Sequence, residues 1–486
     1  MFWGIGRVHC KQKSRILALM RVPKGYVLIK EEEYRQLLST VAELRREVKE
    51  LRARLNMNSG NSSKPPSSDV YSNPSTPKSS RKPSGRKPGG QPGHTGSRLE
   101  MSEHVDLVEE FEPDQCAHCG GALEDEPVDV EARQVIDIPE KPQPQITEFR
   151  VRQKRCSCCG EVSTCDFPEG VSQKVQYGSR LKALVLYLSC YQMIAQRRIK
   201  QAIESMYGLE ISEGFINYTL EQASKALGGY KEKIKSLIMQ SPVVGCDETG
   251  MQVNGKRMWL HTTNTPDISY QVLHEKRGTA AIEDIGVLPQ YHGYAIHDRW
   301  ASYFQYNQCN HALCNAHLLR DLKYIHEELG YNWAEDMIQL LLEAKRISER
   351  KRGPTARQVN EISHRYTRII AWGLRVCTRE GGHVRKNQRG PSKQSKPKNL
   401  LDDMKKHKEA ILAFLTNPDI PFDNNASERD IRMSKVKTKV SGCFRSVAGG
   451  QAFAAIRSHI NTAIKNNINV LQALEGVVIN TVLFPK

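Results

Sequence analysis

Two groups of residues in this chain have the types and spacing to do chemistry. The first is a set of carboxylates. Asp247 and Glu248 end a short apolar run in "SPVVGCDETGMQV", and Asp298 ends another in "YAIHDRW". A third cluster, "PFDNNASERD", holds Asp423, Glu428 and Asp430. Carboxylates converging from neighbouring elements ligate Mg2+ through oxygen, with water completing the octahedron. Two such ions, about 3.5–4 Å apart, activate the attacking oxygen of an in-line displacement and stabilise the leaving one. That chemistry needs a third carboxylate from a later helix, and Glu428, Asp423 and Asp430 compete for the role. Asn425 stands three residues before Glu428, a spacing that also reads as a helix-capping box. A cap and a metal role are therefore both open for Glu428.

The second group is cysteine. "CAHCGG" supplies Cys116 and Cys119, and "CSCCG" supplies Cys156 and Cys159 around a bystander, Cys158. Two C-x2-C pairs, 36 residues apart, offer four thiolates to a tetrahedral zinc ion, and the glycine after each suits a tight knuckle. His118 and Cys165 are substitutes for one ligand. Nothing suggests an open coordination position, so the zinc is expected to be structural. The cysteine count of 13 is odd, and the N-terminus has too short an apolar stretch for a secretory signal and no small-residue cleavage site. Both observations favour a reducing compartment over a disulfide framework. The intervening "RQVIDIPEKPQPQITEFRVRQKR" alternates apolar and polar residues and predicts strands.

The acids must be carried by rigid elements. Residues 243–265 read as two strands joined at Asn254-Gly255, a favoured two-residue hairpin turn. A third strand follows in "DISYQVLHEKRG", with Ile268, Tyr270 and Val272 alternating. A short helix is expected over "TAAIEDIGVL", a fourth strand ending at Asp298, a helix after it, then a short fifth strand running into the helix of "CNAHLLRDL". Three antiparallel strands, then helix, strand, helix, strand, helix is the order of an RNase H-like α/β fold. In that order the strands before Asp247 and Asp298 are neighbours, so their acids converge. Alternation puts Asp247 and Glu248 on opposite faces. Asp247 shares its face with Met251 and Met258, and Glu248 lies with Trp259 and His261. Glu248 is expected to stand behind the site or on the surface.

Around this core the chain is basic, with 71 Lys+Arg against 54 Asp+Glu and a net charge of +17, which favours a polyanionic partner. No run of about 18 apolar residues exists, so no membrane span is expected. Tyr34, Val41, Val48 and Leu55 alternate with Leu37, Leu44 and Leu51 as an a/d seam, predicting a coiled-coil helix and a dimer. A Ser-, Pro- and Gly-rich tether follows, holding Lys78, Arg81, Lys82, Arg86, Lys87 and Arg98 and no acid after Val70, suited to tracking phosphates. "RRIKQAIESMYGLEISEGFINYTLEQA" reads as helix, glycine turn and Ser212-capped helix, the order of a helix-turn-helix. Arg429, Arg432, Lys435, Lys437, Lys439 and Arg445 could line up phosphates beside Glu428. The organisation is an unassigned 1–29, a coiled-coil helix over 30–57, a basic flexible linker over 58–100, a zinc-binding module over 101–170 and a helical domain over 171–240. The catalytic core follows over 241–330, interrupted by a basic helical insertion over 331–417 and completed with C-terminal helices over 418–486.

"NSGNSSKPPSSD", "GRKPGGQPGHTG", "CAHCGG…CSCCG", "CDETGMQV", "HDRWASYF", "CNAHLLRDL", "DNNASERDIR" and "KVSGCFRS" fall in the order seen in transposases of the insertion-sequence 66 family. The resemblance runs from about residue 30 to the C-terminus; the first twenty-odd residues do not share it. It implies a DDE-type catalytic domain with its acids on Asp247, Asp298 and Glu428. Ser427 stands where the resemblance leads one to expect Ala. The implied activity is Mg2+- or Mn2+-dependent cutting of an element's DNA ends, followed by attack of the freed 3′-OH on target DNA. The implied partners are double-stranded DNA, a second copy of the chain and accessory proteins encoded by the same element, in the bacterial cytoplasm at the nucleoid. Two other classes remain to be separated from it: a zinc-containing DNA-binding regulator without catalysis, and an RNase H-like repair nuclease.

Overall fold

The structure, a computed structural model, describes residues 29–58, 61, 93, 100–125, 129–138, 142–380 and 394–482. These divide into two compact units, one drawn from 1–77 and 314–418, the other from 78–313 and 419–486.

The first unit opens with α1 (Glu31–Leu55), whose first turn carries Glu31, Glu32 and Glu33 and whose last turn carries Arg52 and Arg54, each sign matched to the helix dipole. Its seam residues Leu37, Leu44 and Leu51 are each more than half exposed.

In the second unit, a two-residue hairpin, β1 (Lys154–Arg155) and β2 (Val162–Ser163), brackets the second cysteine pair. The longer strands expected between the pairs do not form among the described residues. Val135, Ile138 and Ile146 stay about nine-tenths exposed there, and Pro142 and Pro144 remove ladder donors. Alternation without a partner ladder does not hold a strand.

Four helices follow: α2 (Ser179–Leu186), α3 (Gln196–Tyr207), α4 (Glu213–Ala226) and α5 (Gly228–Gln240). The expected turn is present: Gly208 is left-handed after α3, and the Ser212 hydroxyl accepts from Phe215 N at 3.0 Å to start α4. Ile216, Thr219 and Ala223 bury one face of α4, while Glu213, Asn217, Tyr218, Glu221 and Gln222 face solvent.

The sheet comprises β3 (Val243–Val253), β4 (Lys256–Asn264), β5 (Ser269–His274), β6 (Tyr294–His297) and β7 (Asn310–Leu313), with α6 (Thr279–Ile285) between β5 and β6. Its order is β5-β4-β3-β6-β7; β3, β4 and β5 are antiparallel, and β6 and β7 run parallel to β3. The hairpin closes at Asn254 (φ 48°) and Gly255 (φ 73°), both left-handed as a type I′ turn requires. The helix expected after Asp298 is absent. A single 3-10 turn, Tyr303–Gln305, replaces it, and Tyr303 and Tyr306 are buried into the core.

The chain then builds the rest of the first unit with α7 (Asn315–Glu327), α8 (Asn332–Ser348), α9 (Ala356–Glu380), α10 (Lys396–Lys406) and α11 (Lys408–Thr416). Of these, α8 to α11 fall in the stretch expected as the helical insertion, while α7 is the helix expected to follow the fifth strand; residues 381–393 of the insertion's basic loop lie outside the described residues.

Back in the second unit, α12 (Asn425–Ser441), α13 (Val447–Lys465) and α14 (Val470–Val478) complete the core. Val244, Leu260, Leu273, Phe453, Ile456 and Ile460 share one buried cluster, each contributing roughly 1.5–3 kcal/mol by burial. The outer edge of β5 would leave N–H groups unpaired. Helix α13 covers it: Ser458 Oγ accepts from Gln271 N at 2.8 Å, and Thr462 Oγ1 from Ser269 N at 3.1 Å. No helix among the described residues is long and apolar enough to cross a membrane.

Candidate active site

Strand register brings two of the acids together. Gly245 on β3 pairs with Ile296 on β6 in parallel, so Asp247 and Asp298 each stand two residues beyond the last shared rung. The Asp247 carboxylate accepts from Glu248 N at 2.8 Å, and that of Asp298 from Trp300 N at 2.9 Å. On β4, Thr262 faces Asp247 and His261 faces Glu248, as the unbroken hairpin register requires.

The third acid arrives on α12, through a buried polar network. Asn424 Nδ2 donates to the carbonyl of Cys246 at 2.8 Å, the residue before Asp247. The Ser427 hydroxyl donates to Asn424 Oδ1 at 2.6 Å and accepts from Asn264 Nδ2 at 2.7 Å. Gly245 makes this approach possible, since a Cβ there would meet Ser427 Oγ at 2.5 Å and Asn424 Oδ1 at 2.6 Å. The cap therefore differs from the sequence expectation. Asn424, not Asn425, precedes the helix, its side chain is given to β3, and the Asp423 carboxylate accepts from Asn425 N at 3.1 Å instead. The capping box does not form, and Glu428 stands in the first turn.

The Asp247 carboxyl is held well above the ordinary carboxylate range. Burial is the first cause, the Glu248 charge the second, and Glu428 and Asp298 add to it. Three carboxylates from three elements thus act on Asp247. Asp430 points elsewhere: it pairs with Lys465 at 3.0 Å, whose ammonium also donates to the carbonyls of Thr265 and Ile268 at 2.8 and 3.0 Å.

Glu248 is not a surface residue. Its side chain is 2% exposed, and one carboxylate oxygen accepts from Arg277 Nε at 2.8 Å and Nη2 at 2.6 Å. The other accepts from the Tyr303 hydroxyl at 2.5 Å. The Arg277 guanidinium lies 5.0 Å from the Trp259 ring centre and 4.3 Å from that of Trp300. Burial raises the Glu248 carboxyl, with the Asp298 charge adding, while Tyr303 and Arg277 oppose it. Arg277, Tyr303, Asn264 and the structural part of Ser427 were not visible to sequence reasoning; the one available signal was Trp259 sharing a face with Glu248.

Each cysteine pair forms its knuckle. Cys116 N donates to Gly121 O at 2.9 Å and Gly120 N to Cys116 O at 2.8 Å; Cys156 N donates to Glu161 O at 2.7 Å and Gly160 N to Cys156 O at 3.0 Å. Gly120 and Gly160 are left-handed in both. Backbone N–H groups of Cys119 and His118 hold the Cys116 thiol below its usual range, and those of Cys159 and Cys158 do the same for Cys156. This donor set fits zinc, which binds thiolates. Among the described residues the two pairs are not gathered within 4.8 Å of one another; a bound cation is what ordinarily draws such pairs together.

The basic residues divide. Arg429, Arg432, Lys435 and Lys439 are exposed along α12. Lys437 is buried and donates to the carbonyls of Ser189 and Ile194 at 3.2 and 3.3 Å, so it is a structural tie and not a nucleic-acid contact. Arg81, Lys82, Arg86 and Lys87 lie outside the described residues.

Comparison with known proteins places these features. A profile described as "zinc-finger binding domain of transposase IS66" matches residues 113–160, which include all four knuckle cysteines. A family of unknown function matches residues 19–100. An uncharacterized protein of Sinorhizobium fredii is 28% identical over 162 residues, 33% of this chain and 29% of that protein, so the chain spans less than a third of that relative. The profile of the Transposase IS66 family matches residues 174–452, more than half the chain and the stretch that contains Asp247, Asp298 and Glu428. The chain belongs to the IS66 transposase family.

Proposed function

We propose that this transposase cuts the ends of its element and joins them to target DNA on an RNase H-like core, with Asp247, Asp298 and Glu428 as its metal-binding acids. The convergence of those three carboxylates, from β3, the end of β6 and the first turn of α12, carries the reading. A cluster that raises an acid this strongly is costly unless a cation compensates it. Mg2+ or Mn2+, when bound, would activate water for phosphodiester hydrolysis and then a 3′-OH for strand transfer, and would stabilise each leaving oxygen.

The chain's own part is positional. The hairpin and the parallel β3–β6 pair fix two carboxylates, the Asn424–Ser427–Asn264 network fixes the helix bearing the third, and Arg277 with Tyr303 withholds Glu248 from the metal. The exposed stripe Arg429, Arg432 and Lys435, with the basic 58–100 segment, supplies phosphate contacts. Cys116, Cys119, Cys156 and Cys159 hold structural zinc. Helix α1 pairs with its copy through the Leu37–Leu44–Leu51 seam as a coiled-coil dimer. Accessory proteins of the same element assist, and the protein works at the nucleoid in the bacterial cytoplasm.

The test is end cleavage in vitro with duplexes carrying the inverted repeats that flank the gene. Cleavage requires those terminal sequences and Mg2+ or Mn2+, and Asp247→Ala binds the ends without cutting. Full cleavage by Asp247→Ala removes the assignment, and cleavage dictated by DNA shape alone makes the protein a repair nuclease.

A further inference from the structure

We infer that Arg277 is a contact for a DNA backbone phosphate beside the carboxylate centre, preset for that task by Glu248 and two indoles. The inference rests on the transposase reading above. Three observations carry it.

The guanidinium is fixed in plane. Trp259 from β4 and Trp300 from the segment after β6 stand over it at 5.0 and 4.3 Å, and such a stack orients as well as attracts the cation. It is also fixed in rotation. Nε and Nη2 both engage Glu248, whose other oxygen is held by Tyr303. Glu248 is thereby committed on both oxygens.

The fork is not used up. Nη1 has no hydrogen-bond partner among the described residues, and the Arg277 side chain remains 39% exposed while its carboxylate partner is 2% exposed. An arginine present only to neutralise Glu248 gains nothing from keeping that edge in solvent.

Its position is the third. Trp300 N donates to the Asp298 carboxylate at 2.9 Å, and the same residue's ring carries the guanidinium. Arg277 is thus anchored to the segment that carries Asp298. Phosphate oxygens match the planar fork of arginine. A phosphodiester entering between several carboxylates gains from a cation that needs no reorganisation on arrival.

The test uses the full-length, zinc-loaded protein and a short DNA duplex of arbitrary sequence, without added divalent metal. Binding is followed by fluorescence anisotropy across a salt series. Arg277→Met, and the charge-balanced pair Glu248→Gln with Arg277→Met, are each expected to weaken binding and to lower the slope of log K against log salt by about 0.9, the value for one phosphate. A wild-type slope in the balanced pair shows that Arg277 only neutralises Glu248, and overturns the inference. Unmodified protein gives a second readout that does not depend on a variant folding: phenylglyoxal labelling of Arg277, read by mass spectrometry, should fall when the duplex is bound. Labelling unchanged by saturating duplex also overturns it. A wild-type protein that binds no duplex at all fails the transposase reading itself, which separates the two.

Discussion

The carboxylate centre and the cysteine knuckles are both sets of side chains whose donor atoms suit a metal ion, yet they are positioned by opposite means. Around Asp247 the frame is supplied by the fold: parallel strand pairing, a buried Asn–Ser–Asn network and a doubly held Glu248. Around Cys116 and Cys156 each turn is closed by its own backbone bonds, and the apolar residues between the pairs stay exposed. One site is framed by the fold around it; the other is a set of thiol ligands held only by local turns, the kind of set whose fold ordinarily depends on its metal. The core can therefore hold an acid cluster that is unfavourable by itself, because surrounding packing holds it.

The largest effect should come from metal removal, and it should separate the two regions. Chelation of zinc, or Cys156→Ser, is expected to open the two cysteine knuckles to rapid proteolysis, while residues 243–313 and 419–482 keep their melting transition. Loss of both together would erase the distinction. At the acid centre, Asp298→Asn and Glu428→Gln should each lower end cleavage by about 10³-fold or more, roughly 4 kcal/mol of activation free energy, with far-ultraviolet circular dichroism unchanged.

Smaller changes probe how far the centre is built in advance. Glu248→Ala removes the counter-charge from Arg277 and the acceptor from Tyr303. A loss of about 3 kcal/mol is expected, the low end for breaking a buried pair because Arg277 keeps solvent contact. Ser427→Ala should cost about 1–3 kcal/mol, since it deprives buried Asn264 and Asn424 of a partner. Both are read from urea midpoints, and a pair of near-zero values would mean that the frame is not fixed by these ties.

How much of this was legible follows from where each cause lies. The strands and the Asn254-Gly255 hairpin are local in sequence, so they and the faces of Asp247 and Glu248 could be read from periodicity, whereas the pairing of β3 with β6, about 50 residues on, follows only from the order of elements. The fate of Glu248 could not, because its partners Arg277 and Tyr303 lie 29 and 55 residues away. The cap of α12 was misassigned by one residue for the same reason: Cys246 O, far upstream, claims the Asn424 side chain. Lys437 read as one more base in a cationic run, and only the carbonyls of Ser189 and Ile194 reveal it as buried. The choice among Asp423, Glu428 and Asp430 rested on resemblance at the sequence level. In the fold, Asp423 caps a backbone N–H and Asp430 faces Lys465.

The smallest effect tests the sign of the electrostatics. Burial and three neighbouring carboxylates raise Asp247 above its unfolded value. As pH climbs through the unfolded value, the unfolded chain releases this proton before the folded one does, so folding stability falls. The loss is complete once pH exceeds the folded value. Above the unfolded value the metal-free protein therefore loses stability at Asp247, and Asp247→Asn should raise its Tm slightly at neutral pH. That gain should vanish at a pH below the unfolded value, where wild-type Asp247 is protonated in both states. Added Mg2+ should raise the Tm of the wild type more than that of Asp247→Asn, because the ion compensates the charge that the substitution removes. A variant less stable than wild type in metal-free buffer at neutral pH would mean that Asp247 is already compensated by the protein, and the contrast between a frame built by the fold and a charge left for the metal would fail.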